Sequence, residues 1–235
     1  MKISVVIPVF NEERNIPELY QRLSAMMNGL GTDFEIIFVD DGSRDASVQL
    51  LDAIVGSDST IMCIKNKTHI GKEAALYNGF IHSRGDIIVA IDGDLQNFPE
   101  DIPSMITVLD SFDAVIGWRR NRHDSSLKKL SSWIGNAVRR FAINDNLHDA
   151  GCGIRAFKRR CLVAVGHYKL YEYFLMPILQ CKGYSVAELS VRHAHRKWGK
   201  SNFSIRNRIF SQSITLLVVW WLLKNDLNKQ AKADK

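Results

Sequence analysis

The chain has 235 residues, 46% hydrophobic and 24% charged, with 15 Gly and 5 Pro, which suits one large core and excludes a disordered or collagen-like chain. Its net charge of +6 is unevenly spread: residues 1–113 hold 8 Lys and Arg against 18 Asp and Glu (−10), whereas residues 114–235 hold 23 against 7 (+16). A basic second half points to phosphates, nucleic acid or a membrane surface, with a solvated basic face as the alternative.

The opening run MKISVVIPVF meets Asn11, Glu12 and Glu13 at once and has no small-residue cleavage site. It therefore reads as a strand and not as a signal peptide. Strands are predicted over 3–9, 34–39, 60–64, 86–91 and 113–117, most of them apolar throughout, as buried parallel strands are. Helices are predicted near 16–28, 45–55, 71–83 and 99–110, the first with Asn15 as N-cap and Pro17 near N1. This alternation implies an α/β fold with an open, mainly parallel sheet.

In such sheets ligands bind at the carboxyl ends of the strands. Those ends read Pro8-Val9-Phe10-Asn11-Glu12, Asp40-Asp41-Gly42-Ser43 and Asp92-Gly93-Asp94. One DDGS would be an ordinary turn, but three polar strand ends at one edge favour a site. Asp92 and Asp94, with the amide of Gln96, are hard oxygen ligands suited to Mg²⁺ or Mn²⁺. Taken alone, the same residues also fit a helix N-cap before the turn at Phe98-Pro99. Gly93 lets the backbone approach a ligand closely. Asp40 and Asp41 can accept from a nucleobase or ribose. No GxGxxG, GxxxxGK[ST] or GxSxG occurs, so dinucleotide, Walker and hydrolase-elbow readings fall away.

The second half is less regular. A helix is predicted near 126–141, a Gly-rich loop over 149–157, a strand near 184–193 and a basic loop over 193–204. Four cysteines show no CxxC and no zinc-like spacing, the pattern of reduced cytoplasmic thiols. ITLLVVWWLL (214–223) makes roughly 15 Å of helix, against a bilayer core of about 30 Å. With Trp220, Trp221, Arg206, Arg208 and Lys224 beside it, the segment suits an interfacial helix over 205–224. A buried helix or an oligomer contact is the alternative.

PVFNE (8–12), VDDGS (39–43), GKEAALYNG (71–79) and DGDLQNFPEDIP (92–103) together resemble family 2 glycosyltransferases of the GT-A fold. The closer resemblance is to polyprenyl-phosphate glycosyltransferases, the group that contains dolichol-phosphate mannose synthase and bacterial undecaprenyl-phosphate sugar transferases. DAGCGIRAFKRR (149–160) resembles that group's acceptor segment, and HRKWGKS (195–201) its R-x-x-G-x-S loop. The resemblance implies a nucleotide pocket lined by Pro8, Val9, Asn11, Glu12, Asp40, Asp41, Lys72 and Gly93. It implies that Asp92, Asp94 and Gln96 hold the metal, Mg²⁺ or Mn²⁺, and the diphosphate.

The chain departs from the pattern at Gly93, where the family often has Ala, and at Asn202, where it commonly has Lys; Lys200 is left to supply that charge. Arg119, Arg122, Lys128, Arg155, Arg196 and Lys200 become candidate clamps for donor diphosphate and acceptor phosphate. Asp149 is the candidate catalytic carboxylate outside the metal motif, either as a base or as a group that orients the acceptor or an arginine.

The expectation is an inverting, metal-dependent glycosyltransferase, with a catalytic domain over 1–204 and a C-terminal helix and basic tail over 205–235. Residues 1–113 would be the nucleotide-sugar half and 114–204 the acceptor half. The donor would be a nucleotide sugar, UDP-linked by resemblance, and the acceptor a polyprenyl phosphate at the cytoplasmic membrane face, met peripherally through the C-terminal helix. A hydroxyl acceptor and a non-catalytic nucleotide-sugar or anionic-lipid module are the rivals. Nucleic-acid binding lacks aromatic interleaving and a motif.

Overall fold

The computed structural model describes residues 1–120, 137–140, 143, 145–165 and 173–198. Strands β1 (Lys2–Val9), β2 (Asp33–Asp40), β3 (Ile61–Lys65), β4 (Ile87–Ile91), β5 (Ala114–Trp118), β6 (Ile154–Lys158) and β7 (Val186–Ser190) form one sheet. Helices α1 (Ile16–Gly29), α2 (Ser47–Ser57), α3 (Lys72–His82), α4 (Ile102–Val108), α5 (Arg159–Val165) and α6 (Leu175–Cys181) surround it. A short 3₁₀ turn, Pro99–Asp101, leads into α4.

The strand order is β3-β2-β1-β4-β6-β5-β7. β1 pairs in parallel with both β2 and β4, and β5 pairs in parallel with β7. Among the described strands only β6 runs against its neighbours, β4 and β5. The chain steps outward from β1 to β3 and then returns to the other side of β1 as β4. The ends of β1 and β4 therefore meet where the strand order reverses, the crevice that open α/β sheets use for ligands.

The first half follows the apolar periods closely. β4 is buried at every position, and α1 buries Ile16, Leu19, Leu23 and Met27 at helical spacing. Asn15 stands at the N-cap position, but its side chain does not cap α1; its amide donates to Glu12 instead. The Gly-rich stretch 149–157, expected as a loop, becomes strand β6 from Ile154 onward. Its IRAFK sequence places an arginine in the middle of a sheet, which hides the strand from an apolar count. α5 and α6 were likewise not anticipated. The helix expected at 126–141 falls mostly outside the described residues, which are helical at 137–140 and 143. The segment 205–224 and its membrane contact lie wholly outside them. Among the described residues no helix is long and apolar enough to cross a membrane.

α3 packs on β1 and β2 through Gly79, where a Cβ would sit 2.2 Å from Val6 Cγ1. At the end of the strands opposite the crevice, Glu35 accepts from Ser4 Oγ (2.6 Å), the Arg84 amide (2.6 Å) and Lys2 Nζ (3.0 Å). Burial opposes its ionisation, but these donors outweigh burial and hold the carboxyl below its ordinary value of 4.5.

Two outcomes follow from this packing. Gly79→Ala is expected to lose about 1–3 kcal/mol by overpacking, read from denaturant unfolding. A depressed carboxyl stabilises the fold above its unfolded value, and that contribution fades as pH falls through the folded value. Wild type should thus exceed Glu35→Gln by about 1–3 kcal/mol at neutral pH, with the gap closing below pH 4.5; a gap constant with pH would count against the charge.

Candidate active site

The loops after β1 and β2 are sewn together by side chains. The Asn11 amide donates to Ser43 Oγ (2.9 Å), while Asn11 Oδ1 accepts from the Arg44 amide (2.7 Å). The Glu12 amide donates to Ser47 Oγ (3.0 Å). Asn11 adopts φ +56°, a left-handed conformation that costs energy outside glycine and concentrates at functional sites. Pro8 and Val9 end β1 beside Val39 and Asp40 of β2, and the Val9 carbonyl accepts the Asp41 amide (2.8 Å).

Asp40 and Asp41 are buried and engage the chain's own donors. Asp40 accepts the amides of Gly42 (3.1 Å) and Ser43 (3.2 Å), closing the DDGS turn. Asp41 gathers the loop between β3 and α3: it accepts from Asn66 Nδ2, the amides of Ile70 and Gly71, and His69 Nδ1 (2.7 Å). His69 also stacks on Phe10 at 4.0 Å. Gly42, at φ +75°, has no room for a side chain, since a Cβ would lie 2.7 Å from the His69 amide nitrogen. A ligand reaching either aspartate shares an acceptor already in use.

Across the crevice, β4 delivers Asp92 and Asp94. Lys72, at the start of α3, holds Asp92 at 2.8 Å. Arg196 holds Asp94 at 2.6 Å and lies 3.7 Å from Glu12. Burial raises the Glu12 carboxyl above its ordinary value; the Asn15 bond and Arg196 oppose the rise, and Asp94 and Asp45 add to it. Gly93 presses on β1, where a Cβ would come 3.1 Å from the Pro8 carbonyl oxygen. Leu95 is buried at φ +60° and turns the chain so that the Gln96 amide donates to Asp94 Oδ1 (3.1 Å).

Gln96 also fixes the basic segment that carries Arg196. Its carbonyl accepts the Ala194 amide (2.9 Å), its Nε2 donates to the Ala194 carbonyl (3.3 Å), and Asn97 bridges His193. Arg192–Asp101 (2.7 Å) and Lys197–Glu18 (3.0 Å) secure the two ends. Among the described residues no three His, Cys, Asp or Glu side chains form a metal cluster. Asp92, Asp94 and the Gln96 amide oxygen are hard oxygen donors, a sparse set that fits a cation completing its shell with substrate phosphate.

The β5 side of the crevice is built on an ion pair. Arg119 Nε and Nη2 grip the two Asp149 oxygens at 2.7 and 2.8 Å, and Nη2 also donates to the Gly151 carbonyl (3.0 Å). Burial pulls against the charge of Arg119, but Asp149, with help from Asp92, holds its proton more firmly than usual. The bond pair uses both oxygens of Asp149. Gly153 then brings β6 against the Asp92–Asn97 turn: a Cβ there would lie 2.4 Å from Asp92 Oδ2 and 2.6 Å from Asn97 Nδ2. Burial pushes the neighbouring Cys152 thiol up to about 11, leaving it protonated at neutral pH.

The structure thus gathers Pro8, Val9, Asn11, Glu12, Lys72, Asp92, Gly93, Asp94, Gln96 and Arg196 around one crevice, with the Asp149–Arg119 pair on the β5 side. Arg155, a candidate phosphate clamp, sits deeper than the other described candidates. It lies on β6 between Ala90 and Ile116 and is only 2% exposed, so it is part of the sheet interior. Arg122, Lys128, Lys200 and Asn202 lie outside the described residues. Sequence reasoning passed over Gly153, Leu95, His193, Ala194 and Glu188. A glycine two residues before a strand arginine and a polar residue within an edge strand were the only signals available.

The family model Glycosyl transferase family 2 matches residues 4–166. The chain is 37% identical over 210 residues to an undecaprenyl-phosphate 4-deoxy-4-formamido-L-arabinose transferase of Enterobacter sp. (strain 638), covering 88% of this chain and 64% of that protein. It is 39% identical over 207 residues to the transferase of the same name from Pseudomonas paraeruginosa, covering 86% and 60%. It therefore spans about three-fifths of the length of these curated relatives. Among solved structures, glucosyl-3-phosphoglycerate synthase from Mycobacterium tuberculosis, complexed with uridine diphosphate, superposes with a TM-score of 0.65 at 24% identity. The match covers 93% of this chain and 80% of that one, and it shares the GT-A fold. The matched span, the identity to the curated transferases and the acid pair at the sheet's reversal agree: the chain belongs to glycosyl transferase family 2.

Proposed function

We propose that this chain is an inverting, metal-dependent glycosyltransferase that moves a sugar from a nucleotide donor, UDP-linked, to a polyprenyl phosphate at the cytoplasmic membrane face. The observation that carries this reading is the pair Asp92 and Asp94 at the reversal of strand order, each matched to a cation, Lys72 and Arg196, from a different part of the chain. The names of the curated relatives support the polyprenyl phosphate acceptor, and a neighbour of the same fold was crystallised with Mn²⁺ and UDP-glucose. In this reading the catalytic domain takes in residues 1–204.

The chemistry is a displacement at the anomeric carbon. An oxygen of the acceptor phosphate forms the new bond as the bond to the donor diphosphate breaks, and the electron pair leaves with the nucleoside diphosphate. Attack from the side opposite the leaving group inverts the centre. Asp92, Asp94 and Gln96 would hold Mg²⁺ or Mn²⁺, which supplies positive charge to the departing diphosphate. Lys72 and Arg196 stand where they can pass from carboxylate to phosphate contact as the donor arrives. Arg119 presents a guanidinium suited to an anionic acceptor. An ionised phosphate needs no deprotonation, so Asp149, with both oxygens on Arg119, serves to aim that arginine. This engagement disfavours the hydroxyl-acceptor reading, which needs a free base.

The decisive experiment incubates the protein with a lipid phosphate of the undecaprenyl type, Mg²⁺ or Mn²⁺, and a panel of donors. The panel includes UDP-glucose, GDP-mannose and UDP-4-deoxy-4-formamido-L-arabinose, and glycolipid is detected by mass. A product is expected with a UDP sugar and is lost with EDTA; no product from any donor, while donor binding persists, would overturn the proposal. Asp94→Asn is expected to cut transfer by at least about 100-fold, the scale of losing a charge-stabilising group. Asp149→Asn should cost only about 10-fold, as for a supporting partner. A loss of 10²–10⁴-fold, the worth of a general base, would instead favour a hydroxyl acceptor.

A further inference from the structure

Behind the Asp149–Arg119 pair stands a carboxylate with no assigned role. Glu188 lies within β7, opposite Ile116 of β5. Its Oε1 accepts the amides of His148 (2.9 Å) and Asp149 (3.0 Å), and its Oε2 meets His148 Nδ1 at 2.7 Å. The side chain is 12% exposed, so an ion largely removed from water is committed to two consecutive backbone amides. Such a group costs desolvation energy unless its bonds repay it.

Those bonds fall at one place, the turn that carries Asp149. From there the chain of contacts runs on: Asp149 grips Arg119 through two bonds, and Arg119 is electrostatically stabilised by Asp92 as well as by Asp149. The turn is braced from its other end by Arg139, which pairs with Asp145 (2.7 Å) and donates to the Leu147 carbonyl (2.6 Å). The His148 ring stacks on Trp118 at 4.5 Å, next to Arg119 in β5's exit. Attachment of the loop to the sheet thus does not depend on Glu188 alone. What Glu188 adds is the direction of the Asp149 peptide.

We propose that Glu188 is a positioning residue: by holding the His148 and Asp149 amides it sets the Asp149 carboxylate that aims Arg119 at the acceptor phosphate. Hydrogen-bonded partners one shell behind a working group commonly control its activity in this way. The acceptor part of the inference rests on the function proposed above; the aiming of Arg119 does not.

The test separates the two. Glu188→Gln keeps an oxygen acceptor for both amides, and Glu188→Ala removes it. In ¹H–¹⁵N spectra, the Arg119 Nε–H resonance, assigned by its loss in Arg119→Lys, should be present in wild type and Glu188→Gln. It should be broadened or lost in Glu188→Ala while the backbone spectrum stays dispersed. An unchanged resonance in Glu188→Ala overturns the proposal, whether or not the protein transfers sugar to the lipid. In the transfer assay, kcat/KM for the acceptor should fall about three- to tenfold in Glu188→Ala, in the lower range for outer-shell partners. The donor KM should hold, and Glu188→Gln should recover most of the loss. Equal losses for donor and acceptor, unrelieved by Gln, would mark Glu188 as merely structural. Asp149→Asn combined with Glu188→Ala should cost less than the product of the single effects; a full product would also count against a shared pathway.

Discussion

The architecture depends on keeping carboxylates at the carboxyl ends of a buried parallel sheet. Parallel strands covered on both faces carry apolar side chains along their length, so polar groups collect where the strands stop. Here that concentrates Glu12, Asp40, Asp41, Asp92 and Asp94 in a small volume, with Asp40, Asp41 and Asp94 buried. Like charges at such spacing repel unless each finds donors or cations. The chain answers in two ways. Asp40 and Asp41 take backbone amides and become structural clasps, while Asp92 and Asp94 take Lys72 and Arg196. The first pair is committed to the protein. The second is held by the side-chain cations of Lys72 and Arg196, on which the proposed donor and metal site rests.

That division explains why distant segments converge. Arg196 is 102 residues from Asp94, and it arrives because Gln96 and Asn97 pair with the chain at 193–194. Gly153 is needed where β6 enters beside Asp92, not for its backbone freedom but because any side chain would collide with the carboxylate. The antiparallel β6 thus serves as a wedge between β4 and β5. It carries the end of the Gly-rich segment to Asp92 and Asn97 and sets the Asp149 turn against β7.

Much of the first half was legible from the residues. Five strands and four helices lie within two residues of their expected places, except that the fourth helix begins three residues late, after the 3₁₀ turn Pro99–Asp101, because apolar runs and helical periods dominate there. The acidic strand ends were legible for the same reason: a polar cluster after an apolar run is a local signal. The second half resisted. Strand β6 contains a buried arginine whose place is set by pairing with β4 and β5, and no count along the chain reveals a strand that exists only between two others. Along the chain Arg155 reads only as one basic residue among several; its buried place between Ala90 and Ile116 was decided by register.

The sequence by itself determined an α/β sheet, an acidic edge built from PVFNE, VDDGS and DGD, and a basic second half able to meet anions. Each of these is carried by neighbouring residues, through side-chain period and local charge. Only the tertiary structure decided which cation meets which carboxylate, that both oxygens of Asp149 lie on Arg119, and that Glu188 stands behind them. Those are contacts between residues 20 to 102 positions apart. Their energy depends on distance and burial, which exist only once the strands are paired.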